Sequence, residues 1–220
     1  MGESVRTGRP LDEDVPEEPG YRRRFTWAMH YRTLETAPKI AAQVDLHGAT
    51  TLLDLGGGPG TYSILLTGRY PGLRADVLEL PGVAAVAREI VAAAGANERV
   101  ALRDGDYHTA DFGSGYDAVL MSGMFHRERP ASCRRLIEKA RAALVPGGLL
   151  AVSDVFTDAG GCSPPFAALF GLNMALTAPD GTVHADADVA RWMEAAGFGA
   201  VGTRALPPPM PHRVVTGRLS

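Results

Sequence analysis

A glycine-rich segment after a short apolar run is the first part of the sequence that could do chemistry. It reads LLDLGGGPGT and contains Gly56, Gly58 and Gly60, with Asp54 two residues before the first glycine. Glycines let a backbone approach a ligand closely, and the N-terminus of a following helix offers free N–H groups. Thr61 stands where the dinucleotide motif G-x-G-x-x-G needs its last glycine, and the Gly-Lys-Ser/Thr of a P-loop is absent. What remains is G-x-G-x-G, a loop suited to a small ligand.

Two acidic residues follow the glycine loop at the ends of the next two β-rich runs. RADVLEL contains Glu79, 19 residues after Gly60, and RDGDYH contains Asp106 and Tyr107. A carboxylate at the tip of a second strand can accept both hydroxyl hydrogens of a ribose. Asp106 could hydrogen-bond an adenine amino group while Tyr107 packs against the ring. We expect these residues to line one crevice at the carboxyl edge of a parallel sheet.

A single histidine follows the fourth β-rich run, in the segment MSGMFHRERP. His126 is either a base at the mouth of a pocket or only the first polar residue after a strand. Imidazole changes charge near neutral pH, which suits a proton acceptor. Its spacing alone leaves both interpretations open. Surface or core roles are expected for four other histidines: His30, His47, His108 and His212.

Composition excludes several classes of protein. The chain has 220 residues, 45% of them hydrophobic and 21% charged, which fits one α/β domain with a core. A net charge of -3 argues against nucleic-acid binding. Cys133 and Cys162 lack CxxC spacing, which favours a reduced cytosolic protein over a disulfide or zinc scaffold. Because neither a signal peptide nor a membrane span is visible, a cytoplasmic location is expected.

The chain divides into three predicted parts. Residues 1–20 are acidic and proline-bearing, which predicts a disordered tail, and residues 21–48 predict a helical lead-in. Residues 49–220 alternate β-rich and helical runs, which predicts a doubly wound, mostly parallel α/β sheet with helices on both faces. The predicted strands are Thr51–Leu55, Arg74–Leu80, Val100–Arg103, Ala118–Ser122, Gly148–Val155, Ala200–Leu206 and His212–Leu219. The predicted helices within this part are Tyr62–Arg69, Val83–Ala94, Ala131–Leu144 and Ala187–Ala196.

Taken together, these motifs resemble the class I S-adenosylmethionine-dependent methyltransferases. More narrowly, the chain is similar to the catalytic domain of the caffeate and polyketide small-molecule O-methyltransferases over residues 21–220. The resemblance is carried by LLDLGGGPGTYS, VLELPGV, RDGDYH, ALVPGGLLAVSD, LNMALTAPDG and AAGF. It implies a Rossmann-like seven-stranded sheet with an antiparallel terminal hairpin, S-adenosylmethionine as cofactor, and a small, aromatic secondary metabolite as acceptor.

The resemblance also assigns roles to individual residues. It implies that His126 is the general base and that Asp154, standing where the family usually has Glu, orients it. Phe25, Met29 and Met174 match residues near the acceptor. The implied cofactor-binding residues are Asp54, Gly56, Gly58, Gly60, Glu79, Leu80, Asp106, Tyr107 and Ser122. No metal is implied.

The sequence departs from the family pattern at three places. The usual His-Asp-Trp reads His126-Arg127-Glu128, which puts a positive charge beside the candidate base unless Glu128 or a substrate carboxylate offsets it. A second family acid falls on Val183, with His184 next. The glycine loop begins at residue 56, so we expect this chain to lack the helical N-terminal dimerisation domain usual in this family. Either the acceptor site is open, or a separately encoded partner or a second copy completes it.

Two other functions stay open at this point. His126 and His184 could bind a metal and enolise a keto acid for C-methylation, or the chain could be a non-methylating, cofactor-binding subunit of a heteromer. The magnesium-dependent, catechol-type methyltransferases fit less well, because the fourth strand ends at Met121-Ser122-Gly123 without a carboxylate.

Overall fold

The computed structural model describes residues 2–7, 10 and 19–220. Seven strands in this part of the chain form one sheet. Their bounds are β1 (Thr51–Leu55), β2 (Arg74–Glu79), β3 (Val100–Asp104), β4 (Tyr116–Ser122), β5 (Leu144–Val155), β6 (Phe198–Ala205) and β7 (His212–Leu219).

The strand order is β3-β2-β1-β4-β5-β7-β6, so the direction in which successive strands are added to the sheet reverses between β1 and β4. β1 to β5 pair in parallel, whereas β7 runs antiparallel to both β5 and β6. The predicted mostly parallel sheet with a terminal hairpin is therefore confirmed. In such sheets ligands bind outside the carboxyl ends of the strands where the order reverses, and here that place adjoins the end of the glycine-bearing β1.

Helices cover both faces of the sheet, as predicted. Within the described residues they are α1 (Gly2–Thr7), α2 (Pro19–Ala41), α3 (Thr61–Arg69), α4 (Pro81–Ala93), α5 (Pro130–Ala143), α6 (Pro165–Thr177) and α7 (Asp186–Ala195), and a short 3-10 turn spans Phe125–Arg127.

Alternating side chains of the central strands separate two apolar layers. Leu53 and Val119 pack with Ile137 of α5 and Val189 of α7 on one face. On the other face Leu52, Ala118 and Leu120 pack with Ile40 of α2 and Leu66 of α3. Successive side chains of a strand point to opposite faces, so an apolar strand that is buried on both faces contributes to both layers. Packing in both layers fixes the ends of the central strands, where the candidate site residues lie.

Three segments differ from expectation. Residues 2–7 form a short helix where the composition predicts a disordered tail; residues 1, 8–9 and 11–18 of that tail lie outside the described residues. The helix before the sequence PGG ends at Ala143, and residues 146–148 lie inside β5, where the pairing with β4 is irregular. α6 is a helix that the sequence pattern did not predict.

Helix α2 continues through Pro38, although a proline there predicts a break or a second helix start. It packs on α3 and α4. Within the described residues, no helix combines the length and apolar character needed to cross a bilayer.

Candidate functional site

The glycine loop leaves the end of β1 in a backbone conformation that suits glycine. Gly56, Gly58 and Gly60 have φ of 61°, 54° and 74°, a region that other L-residues rarely adopt. A Cβ placed on Gly58 would meet no heavy atom within 4 Å, so open space lies beside the loop there. A Cβ on Gly57 would lie 2.6 Å from Asp54 Cγ. The loop is thus packed against Asp54 on one side and open at Gly58.

Asp54 is a fully buried carboxylate beneath this loop. Its Oδ2 accepts a hydrogen bond from Ser63 Oγ at 2.7 Å, whereas Oδ1 has no hydrogen-bond partner within the described part of the chain. Burial raises the pKa of Asp54 to about 6, with the Ser63 hydrogen bond opposing the rise. A buried carboxylate with one unsatisfied oxygen favours a cation nearby.

Glu79 joins the end of β2 to the glycine loop. Its Oε2 accepts a hydrogen bond from Gly58 N–H at 2.9 Å, and its Oε1 accepts one from Leu80 N–H at 2.7 Å. Burial raises the pKa of Glu79 while these two N–H groups oppose the rise. Each carboxylate oxygen accepts more than one hydrogen bond, so Glu79 retains capacity for ligand hydroxyl groups. Leu80 is largely exposed beside it.

The segment after β3 brings an aromatic ring to the loop. A Cβ on Gly56 would lie 3.5 Å from the Tyr107 ring, so ring and loop are close neighbours. Asp106 accepts a hydrogen bond from His108 N–H at 2.8 Å. Both Asp106 and Tyr107 are half-buried. The three strand ends thus bring glycines, Glu79 and the Asp106-Tyr107 pair to one edge.

His126 lies in the 3-10 turn after β4 and pairs with Asp154 near the end of β5. The distance between His126 Nδ1 and Asp154 Oδ1 is 2.9 Å, and Asp154 Oδ2 accepts a hydrogen bond from His126 N–H at 3.1 Å. The Asp154 side chain is 3% exposed and that of His126 is 16% exposed. Because a carboxylate only accepts, Nδ1 carries the proton and Nε2 keeps a free lone pair. The pair can therefore take up a proton at Nε2.

Backbone hydrogen bonds hold the turn that carries His126. His126 C=O accepts a hydrogen bond from Thr182 N–H at 2.9 Å. The buried His184 Nε2 lies 3.1 Å from Phe125 O and 2.9 Å from Glu128 O, so it donates to carbonyl oxygens. That donation occupies Nε2, which leaves Nδ1 as the only ring nitrogen of His184 that could ligate a metal. Within the described residues, moreover, no three His, Cys, Asp or Glu side chains group as a metal site.

An aromatic wall beside His126 was missed by the sequence reasoning. Phe170 of α6 meets the His126 ring edge-on at 5.1 Å between centroids, and Phe166 stacks on Phe170 at 6.3 Å. Met174, one turn further along α6, is buried. The spacing of Phe166, Phe170 and Met174 by four residues was a usable signal, since such residues share one helix face.

The other predicted residues lie around this edge with fewer contacts. Ser122 ends β4, and its side chain lies near Tyr62 of α3. Met29 is half-buried on α2. Phe25, on the same helix, is 49% exposed and stacks on Tyr21. The described contacts of Phe25 thus lie within α2, and its place beside an acceptor stays a prediction.

One histidine assigned a surface or core role also touches the loop region. His30 Nδ1 lies 2.8 Å from the Thr61 hydroxyl at the start of α3. Burial lowers the pKa of His30, so its ring is neutral at pH 7. This hydrogen bond ties α2 to the helix that follows the glycine loop.

Comparison with known proteins identifies a family match and close relatives. A sequence model described as an O-methyltransferase domain matches residues 6–199. A 3-hydroxy-5-methyl-1-naphthoate 3-O-methyltransferase from Streptomyces sahachiroi is 34% identical over 98% of this chain and 64% of its own length. An L-tyrosine C(3)-methyltransferase from Streptomyces lavendulae is 31% identical over 87% of this chain and 53% of its own. The chain therefore spans less than two thirds of these relatives.

Solved structures share the fold. The S-adenosylmethionine-dependent methyltransferase SibL, solved in its apo form, superposes with a TM-score of 0.85 at 32% identity, over 99% of this chain and 68% of SibL.

Proposed function

The chain belongs to the O-methyltransferase domain family, and on that premise we propose that it transfers a methyl group from S-adenosylmethionine to a hydroxyl group of a small aromatic secondary metabolite. The observation that carries this proposal is the His126–Asp154 pair, set at the carboxyl edge of the sheet beside the Phe170 ring. The relative that makes a naphthoate ether supports an aromatic acceptor.

The residues at the glycine loop fit S-adenosylmethionine, the cofactor of this family. The unsatisfied Asp54 Oδ1 lies beneath the loop, and a cationic cofactor would compensate its charge. Glu79 keeps acceptor capacity for ribose hydroxyls, and open space at Gly58 admits a ligand against the backbone. Asp106 and Tyr107 would hold the adenine end, with Leu80 and Ser122 completing the predicted contacts.

The chemistry of the reaction divides between cofactor and chain. When bound, S-adenosylmethionine supplies an electrophilic methyl group on a sulfonium. His126 Nε2 accepts the proton of the acceptor hydroxyl, which a phenol with a pKa near ~10 does not release readily at neutral pH. Asp154 holds the ring so that Nε2 faces outward, and it stabilises the imidazolium that forms.

The acceptor would lie against the aromatic wall of α6. The edge-on Phe170 ring and the buried Met174 offer an apolar, polarisable surface to a planar ring. Holding nucleophile and methyl group in line is the larger part of such catalysis, because alignment replaces a bimolecular encounter. Phe25 and Met29 of α2 would border the same acceptor.

A second polypeptide would complete the acceptor site. Phe166, Leu169 and Leu172 of α6 expose 56%, 68% and 53% of their surface. Three large apolar side chains on one helix face indicate a surface that another chain covers. We assign this cover to a partner subunit or a second copy of the chain.

Turnover against a panel of phenols tests the proposal. The chain would be incubated alone, and separately with the product of any adjacent small gene, while S-adenosylhomocysteine and product mass are followed. We expect an increase of one methyl group in a phenolic acceptor. Cofactor binding without turnover under both conditions would instead favour a non-methylating subunit.

Methylation at carbon is a second candidate, favoured by the relative that methylates C3 of tyrosine. A phenolate formed by His126 carries negative charge on its ortho carbon as well as its oxygen, so the same base serves both outcomes. The metal-assisted version lacks support, since His184 donates to backbone carbonyls. NMR of the product would separate a methoxy group from a ring methyl, and activity that falls with chelator would favour the metal route.

A further inference from the structure

A buried carboxylate that the proposed chemistry does not use lies between the two halves of the site. Glu128 directly follows the 3-10 turn that carries His126, and its side chain is 6% exposed. Its Oε1 accepts a hydrogen bond from Tyr107 Oη at 2.8 Å and lies 3.1 Å from His108 Nε2. The described partners of the Glu128 carboxylate are therefore on the loop after β3, whereas the His126 ring is held by Asp154.

The backbone of Glu128 is fixed on both sides. Its N–H donates to Phe125 O at 3.0 Å, and its C=O accepts from His184 Nε2 at 2.9 Å. These two backbone hydrogen bonds restrict the movement of the Glu128 backbone, which carries the carboxylate. A buried carboxylate without hydrogen bonds is unfavourable in free energy. The hydrogen bond from the Tyr107 hydroxyl to Glu128 is therefore stabilising.

This hydrogen bond fixes the direction of the Tyr107 ring. Lys139 Nζ donates to Tyr107 O at 2.6 Å and to Ala110 O at 2.9 Å, which holds the backbone of the loop. The hydroxyl at the far end of the ring is held by Glu128, and the ring edge between these points faces Gly56. With both ends held, the ring presents one defined wall to the glycine loop.

We propose that Glu128 is a positioning residue for the cofactor, holding the Tyr107 ring in place as the wall of the adenine site. The proposal rests on the proposed function, because Tyr107 borders adenine only if S-adenosylmethionine binds at the glycine loop. Glu128 acts on the cofactor site through Tyr107, and its second partner, His108, follows Tyr107 on the same loop. Loss of the Tyr107–Glu128 hydrogen bond should therefore weaken cofactor binding and leave the methyl-transfer step intact.

A double-mutant cycle on S-adenosylhomocysteine affinity tests this. Calorimetry would compare the wild type, Glu128→Leu, Tyr107→Phe and the double variant, because a glutamine amide oxygen would still accept from Tyr107 Oη, whereas leucine has no acceptor. We expect each single variant to raise Kd by about tenfold, the scale of one charge-assisted hydrogen bond. The double variant should bind S-adenosylhomocysteine no more weakly than the single variant with the higher Kd, because all three variants lose the same Tyr107–Glu128 hydrogen bond. In turnover assays KM for S-adenosylmethionine should rise while kcat is retained.

Glu138→Leu is the matched control, since it makes the same substitution on the exposed face of α5. Its Kd should equal that of the wild type. Single variants with unchanged Kd, or effects that multiply in the double variant, would overturn the inference while the wild type still binds and the proposed function stands. A wild type that does not bind S-adenosylhomocysteine removes both. If Glu128→Leu does not fold, Tyr107→Phe decides alone, and an unchanged Kd there overturns the inference.

Discussion

At the residue scale, Asp154 determines which ring nitrogen of His126 carries the proton. Its Oδ1 lies 2.9 Å from Nδ1, and Asp154 also accepts hydrogen bonds from the backbone N–H groups of His126 and Val155. Three donors on one buried carboxylate leave it little freedom. The orientation of the His126 ring is thus set by its hydrogen bond to a residue of the sheet.

Replacing Asp154 by Asn should disable the base without disturbing the cofactor. An amide can donate to Nδ1, which moves the ring proton to Nε2, and we expect kcat to fall by roughly 10²–10⁴. Steady-state kinetics and S-adenosylhomocysteine calorimetry measure the two effects separately. Glu194→Gln, an acid-to-amide change on the exposed side of α7, is the control. An Asp154→Asn enzyme with wild-type kcat would contradict this role.

Asp54 gives the chain without cofactor a distinctive pH dependence of stability. Its pKa is raised from 3.8 to about 6 by burial, so between these values the folded state binds more protons than the unfolded state. Stability therefore falls as pH rises from about 4 to about 6 and then levels off, at a cost of about 3 kcal/mol at pH 7. Asp54→Asn should remove this loss, as urea unfolding at pH 4 to 7 would show.

Asp117→Asn provides the opposite sign when the same unfolding curves are extended below pH 4. Hydrogen bonds from the N–H groups and hydroxyls of Thr50 and Thr51 lower the pKa of Asp117. That stabilisation is present above the unfolded pKa and is lost as pH falls through the folded pKa. The variant should thus be less stable than the wild type at pH 7. Parallel curves for the wild type and Asp54→Asn across pH 4 to 7 would refute the assignment for Asp54.

At the element scale, the glycine loop works because it packs closely on one side. The backbone of Gly57 needs no positive φ, yet a Cβ there would lie 2.6 Å from Asp54 Cγ. An added methyl group must therefore displace either the loop or the buried carboxylate. Close packing, rather than backbone conformation, is what requires glycine at this position.

Gly57→Ala should weaken S-adenosylhomocysteine binding and lower the free energy of unfolding by about 1–3 kcal/mol. Gly68→Ala is the matched control, because Gly68 lies within α3 and a Cβ there meets nothing within 4 Å. That control should stabilise the chain by about 0.5–1 kcal/mol. Calorimetry and chemical unfolding measure both quantities. Equal affinities for the two variants would argue against the loop as the cofactor site.

The strands were predictable from sequence, whereas the helices α1 and α6 were not. β1 to β4 are short apolar runs bounded by glycines or charges, so their ends could be placed within about two residues. α6 contains no charged residue and is apolar on every side, so no periodic contrast between faces marked it as a helix. The wall formed by Phe166 and Phe170 was missed together with that helix.

Some of the candidate site residues could be predicted from strand ends or from the family resemblance. The glycines and Glu79 follow from strand ends in register, and the His126–Asp154 pair followed from the family resemblance. The Tyr107–Glu128 hydrogen bond joins two loops 21 residues apart. It depends on how far the loop after β3 reaches toward the 3-10 turn, a distance that no local pattern encodes.

At the scale of the whole molecule, two helices expose groups of large apolar side chains: α2, with Phe25, Tyr31 and Leu34, and α6. The outer face of α6 exposes Phe166, Leu169 and Leu172 next to the aromatic wall of the site. The relatives compared above are longer than this chain, which spans 64% and 53% of their lengths. The exposed face adjoins the proposed acceptor site, so covering the face would also enclose the acceptor in that proposal.

The chain alone should therefore associate through this face. Sedimentation velocity at increasing concentration should show the wild type forming larger species, and Leu169→Glu should reduce that association because a charge cannot be buried there without a partner. Ala93→Glu, at the exposed end of α4, is the control and should behave as the wild type. A wild type that stays monomeric over the whole range would refute self-association.

The most direct test of the whole account is one NMR experiment on methyl transfer. S-adenosylmethionine labelled with ¹³C in its methyl group would be supplied with a phenolic acceptor, to the wild type and to His126→Ala in parallel. We predict a ¹³C methoxy signal from the wild type, and formation slowed by roughly 10²–10⁴ in the variant, with S-adenosylhomocysteine affinity retained. Equal rates of methoxy formation in the two proteins would contradict the account.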